Sequence, residues 1–172
     1  QYPQGATYED AANDYQEKYD DLIALAARDG KIRELFKKLT RDCEITFFTL
    51  KDDVGHKTYV RSATMLFLKA VFDVFGRDAV QSCRVEFAIG NGSYISPKGQ
   101  FAATKENAEK IRNRMQELVK SKTPFLKRSY SLDNAMELFH AEGMKDKEKL
   151  FRYRRGSFVN IYEMDGYYDY YY

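Results

Sequence analysis

The sequence predicts an α+β fold in two lobes, with the larger lobe built around one long buried helix. Three observations carry this. The stretch His56–Gly76 is apolar at Val60, Ala63, Met65, Leu66, Phe67, Leu68, Ala70, Val71, Phe72, Val74 and Phe75. That covers most of a helix's circumference, and a helix apolar nearly all round is a buried one. Short runs rich in β-branched and aromatic residues stand on both sides of it and read as strands. The polar, turn-rich run Lys51–Gly55 separates a smaller segment from a larger one, which puts the division at 1–52 and 53–172.

The elements follow in order. Thr7 with Asp10 has the spacing of a capping box, with Asp as a shorter stand-in for Glu. A helix then runs from Tyr8 to about Tyr19, with Ala11, Ala12, Tyr15 and Tyr19 on one face. Leu22–Ala27 reads as a buried strand, Asp29-Gly30 as a hairpin turn and Lys31–Leu35 as the partner strand. Cys43–Leu50 is a further strand. After the long helix, Gly76 suits a left-handed C-terminal cap. Ser82–Ile89 alternates, Asn91-Gly92 marks a hairpin, Ser93–Ser96 returns, and Pro97-Lys98-Gly99 closes it. Thr104 caps a helix from Lys105 to about Lys120, with Ala108, Ile111, Met115, Leu118 and Val119 as its apolar stripe. Phe125–Tyr130 reads as a strand. Ser131 caps a helix to about Ala141, with Gly143 past its end. Asp146–Tyr153 is a short basic helix, and Phe158–Tyr162 and Tyr167–Tyr172 are strands.

Composition narrows the function classes. Apolar residues make up 44% and charged residues 31% of the 172, so a packed core is feasible. The net charge of +2 gives no global signal for nucleic acid, so any basic site has to be local. Cys43 and Cys83 have no Cys or His at ligand spacing and read as free buried thiols rather than as a zinc site or a disulfide. No signal peptide and no uncharged apolar span is visible, and the expectation is a soluble cytoplasmic protein without membrane contact. The chain starts without Met and stops on what looks like an unfinished strand, so it reads as a piece of a longer protein.

Few residues offer chemistry. There is no G-x-x-x-x-G-K-[ST] loop, no G-x-S-x-G and no H-E-x-x-H. His56 and His140 are the only histidines, far apart in the sequence, and read as solvated or locally bonded. The densest basic run is Lys145–Arg155, with Phe151 and Tyr153 interleaved. Arg152, Arg154 and Arg155, together with Lys127 and Arg128 on the preceding strand, are candidates for phosphate or RNA contact. The bland alternative is a solvated helix face laced by Asp146 and Glu148.

Arg61-Ser62-Ala63-Thr64-Met65, within the long helix, carries a resemblance. The helix is similar to the one that opens the second additional, or editing, domain of threonyl-tRNA synthetases, which begins His-Ser-x-x-His. Asp169-Tyr170-Tyr171 aligns with the later Asp-x-Cys segment of that domain. The resemblance implies a degenerate editing pocket at Arg61, Ser62, Met65, Asp169 and Tyr171, with no catalytic residue and no metal. Arg is no base near neutral pH, and Met transfers no proton. Two readings of the altered pocket stand: Arg61, Ser62 and the tyrosine hydroxyls bind an anion or a base, or Arg61 pairs with Asp169 and Tyr171 fills space. The segment before it resembles the β-grasp TGS domain that precedes the editing domain, with its first strand missing.

The segments YEDAANDYQEKY, GKIRELFKKLTRDCEITF, GHKTYVRSATMLFLKAV and MKDKEKLFRYRRGSFVNIYEMDGYYDYYY together resemble the N-terminal region of bacterial uridine kinase-type nucleoside kinases. That resemblance implies a non-catalytic accessory or regulatory region, able to bind a nucleotide or other anion, with a P-loop kinase domain following in cis. ATP and magnesium would belong to the parent, and none is assigned to this chain. The alternative is an RNA- or tRNA-binding relative of the editing domain with its hydrolysis lost. A third reading is a dimerisation module that uses the aromatic tail Tyr167–Tyr172 to form a homo-oligomer.

Overall fold

The computed structural model of the chain describes residues 1–90, 92–97 and 102–171. It divides into two compact units, Gln1–Ala63 and Thr64–Tyr172. The division falls inside the long helix.

The first unit opens with helix α1, Tyr8–Tyr15, followed by one 3-10 turn, Gln16–Lys18. Thr7 and Asp10 form the predicted capping box: the Asp10 amide donates to Thr7 Oγ1 at 3.1 Å, and the Thr7 amide donates to Asp10 Oδ2 at 2.7 Å. The helix is shorter than the sequence suggests because Gln16 leaves the helical pattern and binds ahead. Its side-chain amide donates to the Asp21 carbonyl at 2.9 Å and accepts from the Ile23 amide at 3.0 Å, which fixes the entry to the first strand. Strands β1 (Ile23–Arg28), β2 (Lys31–Arg33) and β3 (Ile45–Thr49) form an antiparallel sheet in the order β2-β1-β3. Asp29 and Gly30 have φ of 49° and 75°, the left-handed pair that a tight primed hairpin turn requires. The central strand buries Ile23, Leu25, Ala26 and Ala27.

Helix α2, Asp53–Phe75, begins in the first unit and ends in the second. Its burial is not uniform. Gly55 is buried near its start, Tyr59 and Val60 are exposed, and full burial resumes at Met65, Lys69, Ala70 and Val71. The apolar periodicity overstates the buried length because it does not distinguish half-covered from covered positions. Gly76 follows with φ of 84° and ψ near 180°, which is not the left-handed cap that was expected. The chain instead turns straight into a further short helix, α3 (Arg77–Ser82).

In the second unit, β4 (Cys83–Ile89) and β5 (Gly92–Pro97) pair as a two-stranded ribbon, largely exposed, with Phe87 and Tyr94 stacked at 5.3 Å. The turn residue Asn91, the closing Lys98-Gly99 and the terminal Tyr172 lie outside the described residues. Helix α4 (Lys105–Lys120) is capped by Thr104, and α5 (Leu132–Ala141) by Ser131, both as the sequence predicts. Helix α6 spans Lys145–Arg152. Strands β6 (Leu126–Ser131), β7 (Phe158–Met164) and β8 (Tyr167–Asp169) form an antiparallel sheet in that order.

Alternation along this sheet sorts its residues into two cores. Val159, Ile161 and Tyr170 join Ala135, Phe139 and Phe151 from α5 and α6. Met164 and Tyr167 join Met65 and Val71 of α2, Val80 of α3, and Ile111 and Leu118 of α4, with Tyr162 and Tyr171 packed against them. Tyr167 and Tyr170 of the aromatic tail therefore lie inside these cores, 1% and 8% exposed.

Candidate functional site

The resemblance draws attention first to α2 and the segment after β7. Arg61 is exposed and Ser62 half-buried, both in the first unit. Met65, four residues on from Arg61, is 2% exposed and lies in the apolar core with Tyr167, with Tyr171 packed against it. At this position a thioether fills space among carbon atoms, and a thioether transfers no proton.

Asp169 is 2% exposed and well partnered. Its Oδ1 accepts the Tyr170 amide at 2.6 Å, and its Oδ2 accepts the Tyr167 hydroxyl at 3.3 Å. Its cation is Lys147 of α6, in direct contact with Oδ1. The Lys147 ammonium also lies 5.9 Å from the Phe139 ring centre and 6.0 Å from that of Tyr171. Burial pulls its pKa down to about 8. Lys147 is the residue that sequence reasoning missed. The available signal was the period of α6, which places it on the same side as Phe151, its inward-facing residue.

The Tyr171 hydroxyl is buried and has no hydrogen-bond partner among the described residues. Burial raises the pKa of Tyr171 and Tyr167 well above the usual phenol range. Of the five pocket positions, the structure brings Met65 and Tyr171 together in an apolar cluster and ties Asp169 into an ion pair.

The basic candidates separate into two places. Ser131 pairs with Phe158, so the chain leaving α6 enters the sheet at the Ser131 end of β6. Lys127 and Arg128 stand three to four residues further along the strand, roughly 10–13 Å away at the usual rise. Lys127 lies 5.6 Å from the Tyr162 ring centre, and Arg128 is 3.7 Å from Glu163. On α6, Arg152 pairs with Glu148 at 2.8 Å; in the segment after it, Arg154 stacks on Tyr170 at 5.2 Å and Arg155 is exposed. Glu148 also takes His140 Nδ1 at 3.0 Å; these two contacts, His140 first, hold its carboxyl below the usual range. His140 is thus locally bonded. Among the described residues, no group of three or more His, Cys, Asp or Glu side chains is arranged to hold a metal ion. None of the described helices is long and apolar enough to cross a membrane.

No family model matches the chain. Individual proteins do. The chain is similar to threonine–tRNA ligases. That of Syntrophotalea carbinolica is 32% identical over 149 residues, covering 80% of this chain and 23% of the relative. That of Carboxydothermus hydrogenoformans is 25% identical over 171 residues, 94% of this chain and 26% of the relative. That of Thermotoga neapolitana is 27% identical over 146 residues, 79% of this chain and 22% of the relative. The chain spans about a quarter of the length of these curated relatives. The chain is thus similar to one part of these ligases, and its fold is α+β. Nothing in these matches supports the uridine kinase parent that the sequence reading puts first. They favour its alternative.

Proposed function

We propose that this chain is a tRNA-binding accessory region, related to the editing domain of threonine–tRNA ligases, in which hydrolysis is lost. The observation that carries the loss is Met65, at a position where the editing helix has a histidine and here buried in the apolar core. A proton-transferring group is needed to activate water or an ester, and neither Met65 nor the exposed guanidinium of Arg61 supplies one. Asp169, the one acidic position kept, is held by Lys147.

The binding surface in this reading is the outer side of α6 and the segment after it. Lys145, Lys149, Arg152, Arg154 and Arg155 are exposed there. Such a surface contacts phosphates and carries little sequence information.

The test is threonine tRNA binding by the full chain at several salt concentrations, with seryl-tRNA deacylation measured alongside. Binding that weakens with salt, and a shallower salt slope in the Arg152→Gln/Arg154→Gln/Arg155→Gln variant, are expected, with deacylation at the buffer rate. Deacylation above that rate would refute the loss, and tRNA affinity untouched by the triple variant would refute the surface. Sequencing past Tyr172 decides the parent: a class II synthetase domain supports this reading, and a phosphate-binding loop returns the kinase.

A further inference from the structure

The first unit holds a cleft that neither resemblance assigns. It has a volume of about 380 Å³. Arg28, Arg33, Lys37 and Lys38 line it with Tyr8 and Thr40, and the one carboxylate on its wall is Glu34. Four cations against one anion leave a local excess of three positive charges (4 − 1) in a chain whose net charge is only +2.

The wall is built rather than incidental. The loop that follows β2 is laced to the start of α1. The Tyr8 amide donates to the Lys37 carbonyl at 3.0 Å, the Glu9 amide to Leu35 at 2.8 Å, and the Leu39 amide to Ala6 at 2.7 Å. These bonds fix the backbone that carries Lys37 and Lys38. Arg28 Nη1 donates to Thr40 Oγ1 at 3.1 Å, which orients that guanidinium.

Tyr8 supplies the second, independent observation. It is fully buried, and among the described residues its hydroxyl has no hydrogen-bond partner. An orphaned buried hydroxyl destabilises a fold, and natural structures rarely leave one without a reason. An acceptor oxygen brought into the cleft would satisfy it. Guanidinium and ammonium groups around that oxygen match a phosphate better than a carboxylate, because a phosphate offers more acceptor oxygens and more charge.

We propose that this cleft binds a phosphate-bearing ligand, with Tyr8 as hydrogen-bond donor and Arg28, Arg33, Lys37 and Lys38 as counter-charges. The site is built from other residues than the α6 surface and does not depend on the tRNA reading. Its phosphate can belong to a free nucleotide or to an RNA end, and the experiment separates these sources.

The experiment is calorimetric titration of the full chain with inorganic triphosphate. One saturable site is expected. Tyr8→Phe removes a single oxygen and leaves the packing in place, so it should fold, and it should weaken binding about tenfold. Arg33→Gln/Lys37→Gln should weaken it about a hundredfold. The triple arginine variant of α6 should bind triphosphate normally. Without ligand, Tyr8→Phe should melt at or above the parent temperature. Saturating triphosphate should raise the parent's melting temperature more than the variant's. Displacement of triphosphate by a nucleoside triphosphate identifies a free nucleotide as the source, and displacement only by a 5′-phosphorylated RNA hairpin identifies RNA. Absence of a saturable site, or equal affinity in parent, Tyr8→Phe and Arg33→Gln/Lys37→Gln, overturns the proposal.

Discussion

Lys69, buried in the second half of α2, donates from Nζ to the main-chain carbonyl of Asp165 at 2.7 Å, in the turn between β7 and β8. The same ammonium pairs with Asp73 one helical turn later, also at 2.7 Å. Asp73 in turn holds Arg114 of α4 at 2.8 Å. One charged residue in an otherwise apolar stretch thus ties the long helix to the sheet and, through Asp73, to α4.

Lys69→Ala is therefore expected to lower the stability of the second unit by about 3 kcal/mol, since it strands Asp165's carbonyl and weakens the hold on Asp73. Lys69→Met, which fills the same space, should lose less. Urea denaturation followed by far-UV circular dichroism checks both. An alanine variant within about 0.5 kcal/mol of the parent would show that the ion pair is ornamental.

The capping box gives a prediction with a pH dependence. Asp10's carboxyl is held below its ordinary 3.8 by hydrogen bonds from the Thr7 amide and hydroxyl. A carboxyl depressed in the folded state stabilises above its unfolded pKa and loses that contribution as pH falls through the folded value. Thr7→Ala should cost about 1 kcal/mol at pH 7. It should also flatten the acid side of the stability profile below about pH 4. Thermal unfolding at pH 7 and pH 3 tests this; a variant as acid-sensitive as the parent contradicts it.

Local chemistry was legible in the sequence wherever a side chain acts on its own backbone neighbours. Thr7, Thr104 and Ser131 cap the helices they precede, and Asp29-Gly30 makes its turn. Asp165-Gly166 is the same dipeptide with the same positive φ values, 46° and 79°. It passed unread because the aromatic residues after it dominate the pattern. Helix α3 passed unread because six residues carry too little periodicity to show a face. Partners distant in sequence were not legible at all. Lys147 reaches Asp169, and Lys69 reaches Asp165, across separations that no local spacing rule covers. The basic cleft of the first unit is of this kind too, since Tyr8 and Lys37 meet only through the loop that wraps α1.

The two cysteines differ in surroundings and should differ in reactivity. Both are free; Cys83 is buried and Cys43 half-buried. Burial pushes the Cys83 thiol up to about 11, so almost no thiolate exists at pH 8. A disulfide-exchange reagent should titrate one thiol per native chain quickly and the second only on unfolding. Two equivalents at a single fast rate would mean that the core around Ala79, Val80 and Cys83 opens readily.

The sharpest test of the proposed loss of hydrolysis is an attempt to restore it. Met65→His returns the residue type that the editing helix carries at this place. In the parent, Met65 packs in a cluster with Val71 and Tyr167. An imidazole there would bury two ring nitrogens among carbon atoms. The hydroxyl of Tyr171, which packs against that cluster and has no hydrogen-bond partner among the described residues, can satisfy at most one of them. The variant is expected to lose about 2 kcal/mol of stability, from the mismatched volume and one unsatisfied nitrogen. It should gain no seryl-tRNA hydrolysis, because Asp169 remains locked to Lys147 and Tyr171 stands where the editing segment has a cysteine. Adding Tyr171→Cys should lower stability further by opening a cavity, again without turnover. Measurable hydrolysis in either variant would mean that the pocket is intact apart from its side chains, and that the loss of function is one or two substitutions deep rather than built into the packing of this core.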